Sequence, residues 1–412
     1  MYRLNHLGRV AALGAVVALA ACDSNSTVLG RRVPATGDIF KSYVALGNSI
    51  TAGFQSNGIN DSTQRQSYAR LLAIQMGTQY HYASLAMPGC TPPIANTQTG
   101  ALVGTGSTGT TCALRVGTSV TDILNNVAVP GARVLDPISA STVASNALTT
   151  FILGGKTQVA KALDANPTFA TIWIGNNDVL VPALSGILVP QPALGQTGII
   201  STQAQFQASY DTMIQQLTAG APGIRGVLIG VLQMAALPSF SSGALIAASP
   251  AAQGGINAAT GKVVTIHPNC TGSAALIDVP QLALAIRSGA HPAIIACDKA
   301  TPGLPFPVGD LFVLDAAEQA TLSATISGYN TYIAQKAAAI GFAYYEPNVT
   351  LAAKRANGEI PPFPNLASAT LTFGNLISLD GIHPSGALHQ LIANELINVI
   401  NAKYSTSLAQ VP

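Results

Sequence analysis

Charged residues are scarce in this sequence, and basic residues form no run. Asp, Glu, Lys and Arg make up 9% of the 412 residues, against roughly 25% in an average soluble protein. A chain without a basic cluster lacks the usual signature of nucleic-acid binding, and we expect no nucleic-acid partner. Hydrophobic residues make up 48% of the sequence, which is typical of a chain that folds around a core and not of a disordered one.

Several common catalytic and nucleotide-binding motifs are also missing. Thr51 occupies the position of the second glycine in a Gly-x-Ser-x-Gly nucleophile elbow. Residues 104–109 match a dinucleotide-binding glycine pattern, but no strand precedes them. Residues 154–157 have the end of a phosphate-binding loop, but Thr150 replaces its first glycine. We therefore expect no cofactor.

Cysteine is rare, with five residues in the chain. An even number of cysteines in the exported part of a protein favours disulfides. The four that follow the leader are Cys90, Cys112, Cys270 and Cys297. Pairing 90 with 112 and 270 with 297 is the simplest of three possible connectivities.

Zinc binding is the alternative for two of these cysteines. Its ligands would be His267, Cys270, His291 and Cys297. Their spacing matches no common zinc motif, and each histidine precedes a proline in a loop-like segment. Disulfides are the stronger prediction, and we expect no metal.

The N-terminus has the features of an export signal. Arg3 and Arg9 give it a basic start, and residues 10–20 form an apolar run too short to span a bilayer. The ending Leu19-Ala20-Ala21-Cys22 resembles a bacterial lipobox, whose cysteine is lipidated; a plain signal peptide with an incidental cysteine is the alternative. We predict a signal peptide over residues 1–21 and a polar tether over residues 22–37. We also predict a lipid on Cys22 that anchors the protein to a bacterial membrane, on its periplasmic or cell-surface side.

Apolar runs alternate with amphipathic segments in the rest of the chain, residues 38–404. The predicted strands are 42–46, 80–85, 169–174, 226–232 and 342–345. The predicted helices are 68–76, 203–219, 314–340 and 386–401, the last with Ser385 as N-cap. This alternation predicts one α/β domain, with a mostly parallel sheet covered by helices on both faces. Two segments of biased composition, about 90–150 and 238–307, are predicted to be insertions.

A serine and an acid–histidine pair mark the two ends of this domain. Ser49 follows the first predicted strand, where ligands bind in open α/β sheets. Asp380 precedes His383 by three residues, just before a helix. A serine hydroxyl needs a base to take its proton, and the base needs an acid to fix its tautomer. Either motif alone is more often structural, but together they predict a catalytic triad.

Two further segments fit an oxyanion hole. Gly89 follows the second predicted strand, where a glycine lets a backbone N–H approach a developing oxyanion. Asn177, in Gly175-Asn176-Asn177-Asp178, follows the third predicted strand and could donate its side-chain amide.

In sequence order, these segments resemble the four blocks of SGNH (GDSL-type) hydrolases. Gly47-Asn48-Ser49-Ile50 corresponds to Gly-Asp-Ser-Leu, and the other blocks are Gly89, residues 175–178 and residues 380–383. The resemblance implies a three-layer α/β/α fold and an acyl-serine intermediate. It also implies oxyanion donors from the backbone of Ser49 and Gly89 and from the side chain of Asn177. Asn48 and Ile50 depart from the family pattern, but neither position is a nucleophile.

The predicted function is hydrolysis of carboxylic esters outside the cytoplasm, with lipids, acylated sugars or small esters as substrates. Two alternatives stay open at this point. A surface lipoprotein could keep the fold as a non-catalytic binding module, or the same groups could cleave a thioester.

Overall fold

Four short parallel strands form the central sheet of the computed structural model, which describes residues 38–104, 122–139, 147–189, 200–298 and 311–412. In spatial order they are β1 (Tyr43–Gly47), β4 (Phe169–Trp173), β5 (Arg225–Ile229) and β11 (Ala343–Tyr345). All residues of β1 and β4 are buried, as expected for parallel strands that are covered on both faces.

Residues 125–129 extend this sheet beyond β1. The N–H of Ala45 donates to Asn125 O (2.7 Å), and the N–H of Val129 donates to Gly47 O (3.2 Å). Asn126 also forms a parallel bridge with Tyr82. These residues fall inside the segment 90–150 that the sequence assigned to an insertion, so that assignment is wrong for them. Residues 80–85, predicted as a strand, form isolated bridges instead.

Helices cover both faces of the sheet. On one face, α3 (Tyr68–Met76) packs against α13 (Gly386–Tyr404). On the other, α7 (Gln203–Gly220) packs between α5 (Gln158–Leu163) and α11 (Ala316–Ile340). The fold is therefore the predicted α/β/α sandwich.

Side-chain caps define where the long helices begin. Thr202 and Gln205 form a reciprocal capping box at the start of α7, and Asp315 and Glu318 form another at the start of α11. Ser385 accepts a hydrogen bond from the N–H of Leu388 and is the N-cap of α13, as predicted. Each cap satisfies backbone donors that the first helical turn leaves unpaired.

A second, smaller hydrophobic cluster lies beside the main core. Its sheet is antiparallel, in the order β10 (Val313–Leu314), β8 (Leu276–Asp278) and β6 (Phe240–Ser242). Cys270 and Cys297 belong to this cluster and form a disulfide. The pairing of Cys270 with Cys297 is therefore confirmed.

The remaining elements are short. The other strands are β2 (Ile94–Asn96), β3 (Ala101–Leu102), β7 (Thr265–Ile266) and β9 (Ile294–Ile295). The other helices are α1 (Ser49–Ala52), α2 (Asp61–Gln64), α4 (Ala147–Leu153), α6 (Asn176–Ser185), α8 (Gly243–Ala248), α9 (Pro250–Thr260), α10 (Val279–Ser288) and α12 (Pro347–Ala356). Within the ranges given above, no helix is long and apolar enough to cross a membrane.

Candidate active site

Ser49 lies directly after β1, at the first residue of α1. Asn48 is the N-cap of this helix, and its side-chain oxygen accepts from the N–H of Ile50 at 3.1 Å. Gly47 leaves room for the turn, because a Cβ there would lie 2.8 Å from the carbonyl oxygen of Trp173. The strand end and the capped turn together hold the Ser49 hydroxyl at the carboxyl edge of the sheet.

Ser49, His383 and Asp380 form a continuous line of hydrogen bonds. His383 Nε2 lies 2.8 Å from Ser49 Oγ, and His383 Nδ1 lies 2.8 Å from Asp380 Oδ2. An ionised carboxylate can only accept, so in the neutral imidazole Nδ1 carries the proton and Nε2 is the acceptor for the serine hydroxyl. This tautomer is the one that a general base requires. The three predicted residues are therefore brought together.

Asp380 stays ionised although its side chain is buried. Burial alone would raise its pKa, but the charge of His383 and hydrogen bonds from His383 and Ile382 outweigh it and lower the pKa to about 2. The backbone N–H groups of Ile382 and His383 donate to Oδ1 at 2.9 and 2.8 Å. The ring of Phe54 lies 4.8 Å from the His383 ring and packs against it.

A tight turn near Ser49 ties the two ends of the site together. Ser56 and Asn57 both have positive φ (54° and 61°) between Gln55 and Gly58, which are bridged. The N–H of Asn57 donates to Asp380 Oδ2 at 2.8 Å. The same carboxylate oxygen thus accepts from His383 and from this turn. The role of the turn was not predicted from the sequence.

Residues 129–132 form a turn that contacts Asn177. The N–H of Ala132 donates to Val129 O. Pro130 and Gly131 are the central residues of this turn, and Gly131 has a φ of 82°, the pattern of a type II turn. The N–H of Gly131 is not used by the turn's own hydrogen bond. Asn177 Nδ2 donates to Ala132 O at 2.9 Å, which places the carboxamide of Asn177 beside this turn.

Asp178 holds the chain that follows the turn. It is buried, and its carboxylate accepts from the N–H of Val134 (2.9 Å) and the hydroxyl of Ser201 (2.6 Å). Arg133 Nε lies 3.7 Å from the same carboxylate. Burial raises the pKa of Asp178 against the effect of these partners. Asn177 and Asp178 therefore connect the segment 175–178 to residues 131–134.

Gly89 has different surroundings. It has a φ of 125°, and a Cβ at this position would lie 2.5 Å from Ile59 O. The side chain of Asn60 donates to the preceding carbonyl, Pro88 O, at 3.1 Å. The contacts of Gly89 are thus with the 59–60 loop, whereas Gly131 follows the segment that lies beside β1 and is linked to Asn177. We therefore replace Gly89 with Gly131 as the candidate glycine donor.

The sequence does contain a signal for Gly131, the glycine that the sequence analysis did not select as a donor. Residues 127–129 form a short apolar run, Val-Ala-Val, and Pro130-Gly131 follows it as a turn signal. The run lies between two stretches of biased composition, and the whole segment 90–150 was therefore interpreted as an insertion.

A narrow space of about 20 Å³ lies between the catalytic groups and apolar side chains. Ser49, His383 and Asn177 line it together with Leu232 and Leu237. Asn48 and Asn176 also line this space. Their side-chain nitrogens are buried, and neither has a hydrogen-bond partner within the described part of the chain. The site thus offers amide donors next to the reactive hydroxyl.

The Cys270–Cys297 disulfide rules out the zinc alternative, because both sulfurs are bonded to each other. In the ranges that the structure covers, no group of three or more His, Cys, Asp or Glu side chains could hold a metal ion. Cys90 is buried. Its predicted partner, Cys112, lies outside the described residues, so that bond stays a prediction, as does the lipidation of Cys22.

Ser49, His383 and Asp380 thus have the hydrogen-bonded arrangement of a catalytic triad, at the carboxyl edge of a parallel sheet. The family model for GDSL-like lipases and acylhydrolases matches residues 43–396. The chain belongs to this family and is a carboxylic ester hydrolase. This conclusion sets aside the non-catalytic alternative.

A solved structure of an extracellular lipase from Streptomyces rimosus is also similar, at 14% sequence identity and a TM-score of 0.37. The match covers 88% of this chain and 99% of that one. No curated protein sequence matches the chain.

Proposed function

We propose that the protein cleaves carboxylic esters through an acyl-serine intermediate formed on Ser49. The observation that carries the proposal is the line of hydrogen bonds from Ser49 through His383 to Asp380. In this arrangement a neutral imidazole with its proton on Nδ1 can accept the serine proton at Nε2.

In the first half-reaction, Ser49 Oγ attacks the ester carbonyl carbon while His383 Nε2 takes the hydroxyl proton. The C–O bond to the alcohol then breaks, and His383 returns the proton to the leaving alkoxide. In the second half-reaction, water attacks the acyl carbon while His383 takes a proton from it. The bond between the acyl carbon and Ser49 Oγ then breaks, His383 returns the proton to Ser49 Oγ, and the acid product leaves. Asp380 stabilises the imidazolium in both halves.

The negative charge of the tetrahedral intermediate needs donors that are already in place. We assign these donors to the N–H groups of Ser49 and Gly131 and to the side chain of Asn177. The contact of Asn177 Nδ2 with Ala132 O supports this assignment, because it uses one of the two amide hydrogens and leaves the other for substrate.

The direct test compares the purified protein with Ser49→Ala on p-nitrophenyl acetate. We expect the variant to lose activity by about 10⁴-fold or more, because its remaining groups cannot form the acyl-enzyme. Thr51→Ala is a suitable control, since Thr51 is a buried hydroxyl two residues away that contacts Tyr68 at 2.9 Å and not His383. If Ser49→Ala were as active as the control, Ser49 would not be the nucleophile.

We also propose that the enzyme is exported and tethered to a bacterial membrane through a lipid on Cys22. The basic start, the short apolar run and the Leu-Ala-Ala-Cys ending support this proposal. Replacing Cys22 with Ser should move the activity from the membrane fraction to the soluble exported fraction. Full retention in the membrane fraction would contradict the lipid anchor.

A further inference from the structure

A large apolar cavity lies next to the catalytic groups. Its volume is about 220 Å³. The buried side chains of Trp173, Leu388 and Ile392 form part of its wall, and the exposed residues Ala236 and Ala352 lie at its solvent side. It is about ten times larger than the narrow space at Ser49, which is about 20 Å³.

The two spaces share a wall. Leu232, Leu237 and Ile382 line both the large cavity and the narrow space that contains Ser49 and His383. The apolar cavity therefore adjoins the space that the carbonyl group of a substrate must enter to reach Ser49.

Two polar side chains of the cavity, those of Asn348 and Arg355, are engaged with protein atoms. Asn348 accepts from the N–H of Gln233 at 2.7 Å and donates to Val231 O at 2.9 Å. Arg355 donates to Ala236 O across the entrance. Most of the side chains that line the cavity are apolar, so it favours a ligand with little hydrogen-bonding capacity, namely a hydrocarbon chain.

We infer that this cavity binds the acyl chain of the substrate and makes the enzyme selective for medium-chain esters. This inference rests on the proposed function, since it places the chain relative to the acyl-serine. A cavity of roughly 150 Å³ is known to bind benzene, so about 220 Å³ holds a chain of roughly eight carbons. Each methylene that enters such a cavity is worth about fourfold in kcat/KM.

The first test is a series of p-nitrophenyl esters from acetate to palmitate. We expect kcat/KM to rise up to about the octanoate and then to level off or fall. A profile that is flat from acetate to octanoate would overturn the inference while leaving the ester hydrolysis itself intact. Absence of hydrolysis of every ester would instead contradict the proposed function.

Two alanines of α12 allow a matched comparison. Ala352 and Ala353 are adjacent and exposed, but only Ala352 lines the cavity. Ala352→Trp should lower kcat/KM for the octanoate at least tenfold and leave the acetate within about twofold, because a tryptophan there blocks the cavity and not Ser49. Ala353→Trp should change neither. Equal losses on both esters with Ala352→Trp, or no loss on either, would overturn the inference.

A binding measurement separates the cavity from catalysis. Calorimetric titration of the Ser49→Ala protein with octanoate should detect binding that Ala352→Trp in the same background weakens at least tenfold. Unchanged affinity in the double variant would show that octanoate binds elsewhere and would overturn the inference, whether or not any ester is cleaved.

Discussion

His383 Nε2 lies 2.8 Å from the hydroxyl of Ser49, although the two residues are 334 positions apart in the chain. The sheet places Ser49 just after the end of β1, and the loop that precedes α13 places His383 opposite it. The turn at Ser56 and Asn57 then binds the Asp380 loop directly. The site is therefore held by backbone contacts as well as by the three side chains.

Asp380 is predicted to act by fixing the tautomer of His383. Replacing it with Asn should lower kcat by about 10⁴-fold, because an amide can donate to Nδ1 and stabilise the wrong tautomer. Steady-state kinetics on a short ester measure this effect. Ser378→Ala is the control, since it removes a hydroxyl that donates to Asp380 at 3.0 Å and leaves the carboxylate in place. Its kcat should fall by less than about tenfold, which corresponds to the loss of one hydrogen bond. Equal losses in the two variants would mean that Asp380 is only a structural residue.

The stability of the protein should depend on pH through the same carboxylate. The pKa of Asp380 is lowered from 3.8 to about 2 in the folded protein, so its ionised form stabilises the fold above about pH 4. This contribution is lost as the pH falls towards 2. It amounts to about 2 kcal/mol, an order-of-magnitude figure.

Urea unfolding of Asp380→Asn and of the unchanged protein at several pH values tests this linkage. The difference in the free energy of unfolding should be largest near neutral pH and should shrink between pH 4 and pH 2. A difference that stays constant over this range would contradict the linkage. Glu359→Gln, an exposed carboxylate paired with Lys354, serves as the control and should change little.

Asn177 is predicted to act in the transition state. Asn177→Ala should lower kcat by about 10²–10³-fold with little change in KM, because the amide donates most strongly to the developing oxyanion. A rise in KM at constant kcat would instead assign Asn177 to substrate binding. Circular dichroism of the variant checks that the turn at residues 129–132 and the fold are retained.

The disulfide should stabilise the smaller hydrophobic cluster. The two cysteines are 27 positions apart, and closing a loop of this length is worth about 3–4 kcal/mol in the chain-entropy account. Replacing both Cys270 and Cys297 with Ser should lower the free energy of unfolding by about this amount in urea titrations. An unchanged unfolding midpoint would contradict a stabilising role for the bond.

The regular parts of the fold could be predicted from the sequence because their signals are local. Helix α13 has a continuous apolar face and a serine cap, and it begins at the predicted residue, Gly386. Strand β4 is a mostly apolar run between Pro167 and Gly175, and the structure has it within one residue of the prediction. The triad could be predicted because Ser49 follows such a strand closely and Asp380 and His383 lie in the short loop before such a helix.

The parts that could not be predicted depend on distant contacts. Ser-Asn-Gly at residues 56–58 is a turn signal, but its partner, Asp380, is 323 residues from Asn57. The choice between Gly89 and Gly131 depends on which of two segments pairs with β1. Both segments, residues 80–85 and 125–129, are short and mix polar with apolar residues, so pattern alone could not decide between them.

Covalent labelling with a fluorophosphonate tests the central claim most directly, because this reagent phosphonylates an activated serine hydroxyl. After proteolysis, mass spectrometry should find one label on the peptide that contains Ser49, and His383→Ala should abolish it. An active enzyme that stays unlabelled, or one whose label lies on a peptide without Ser49, would contradict the proposed mechanism.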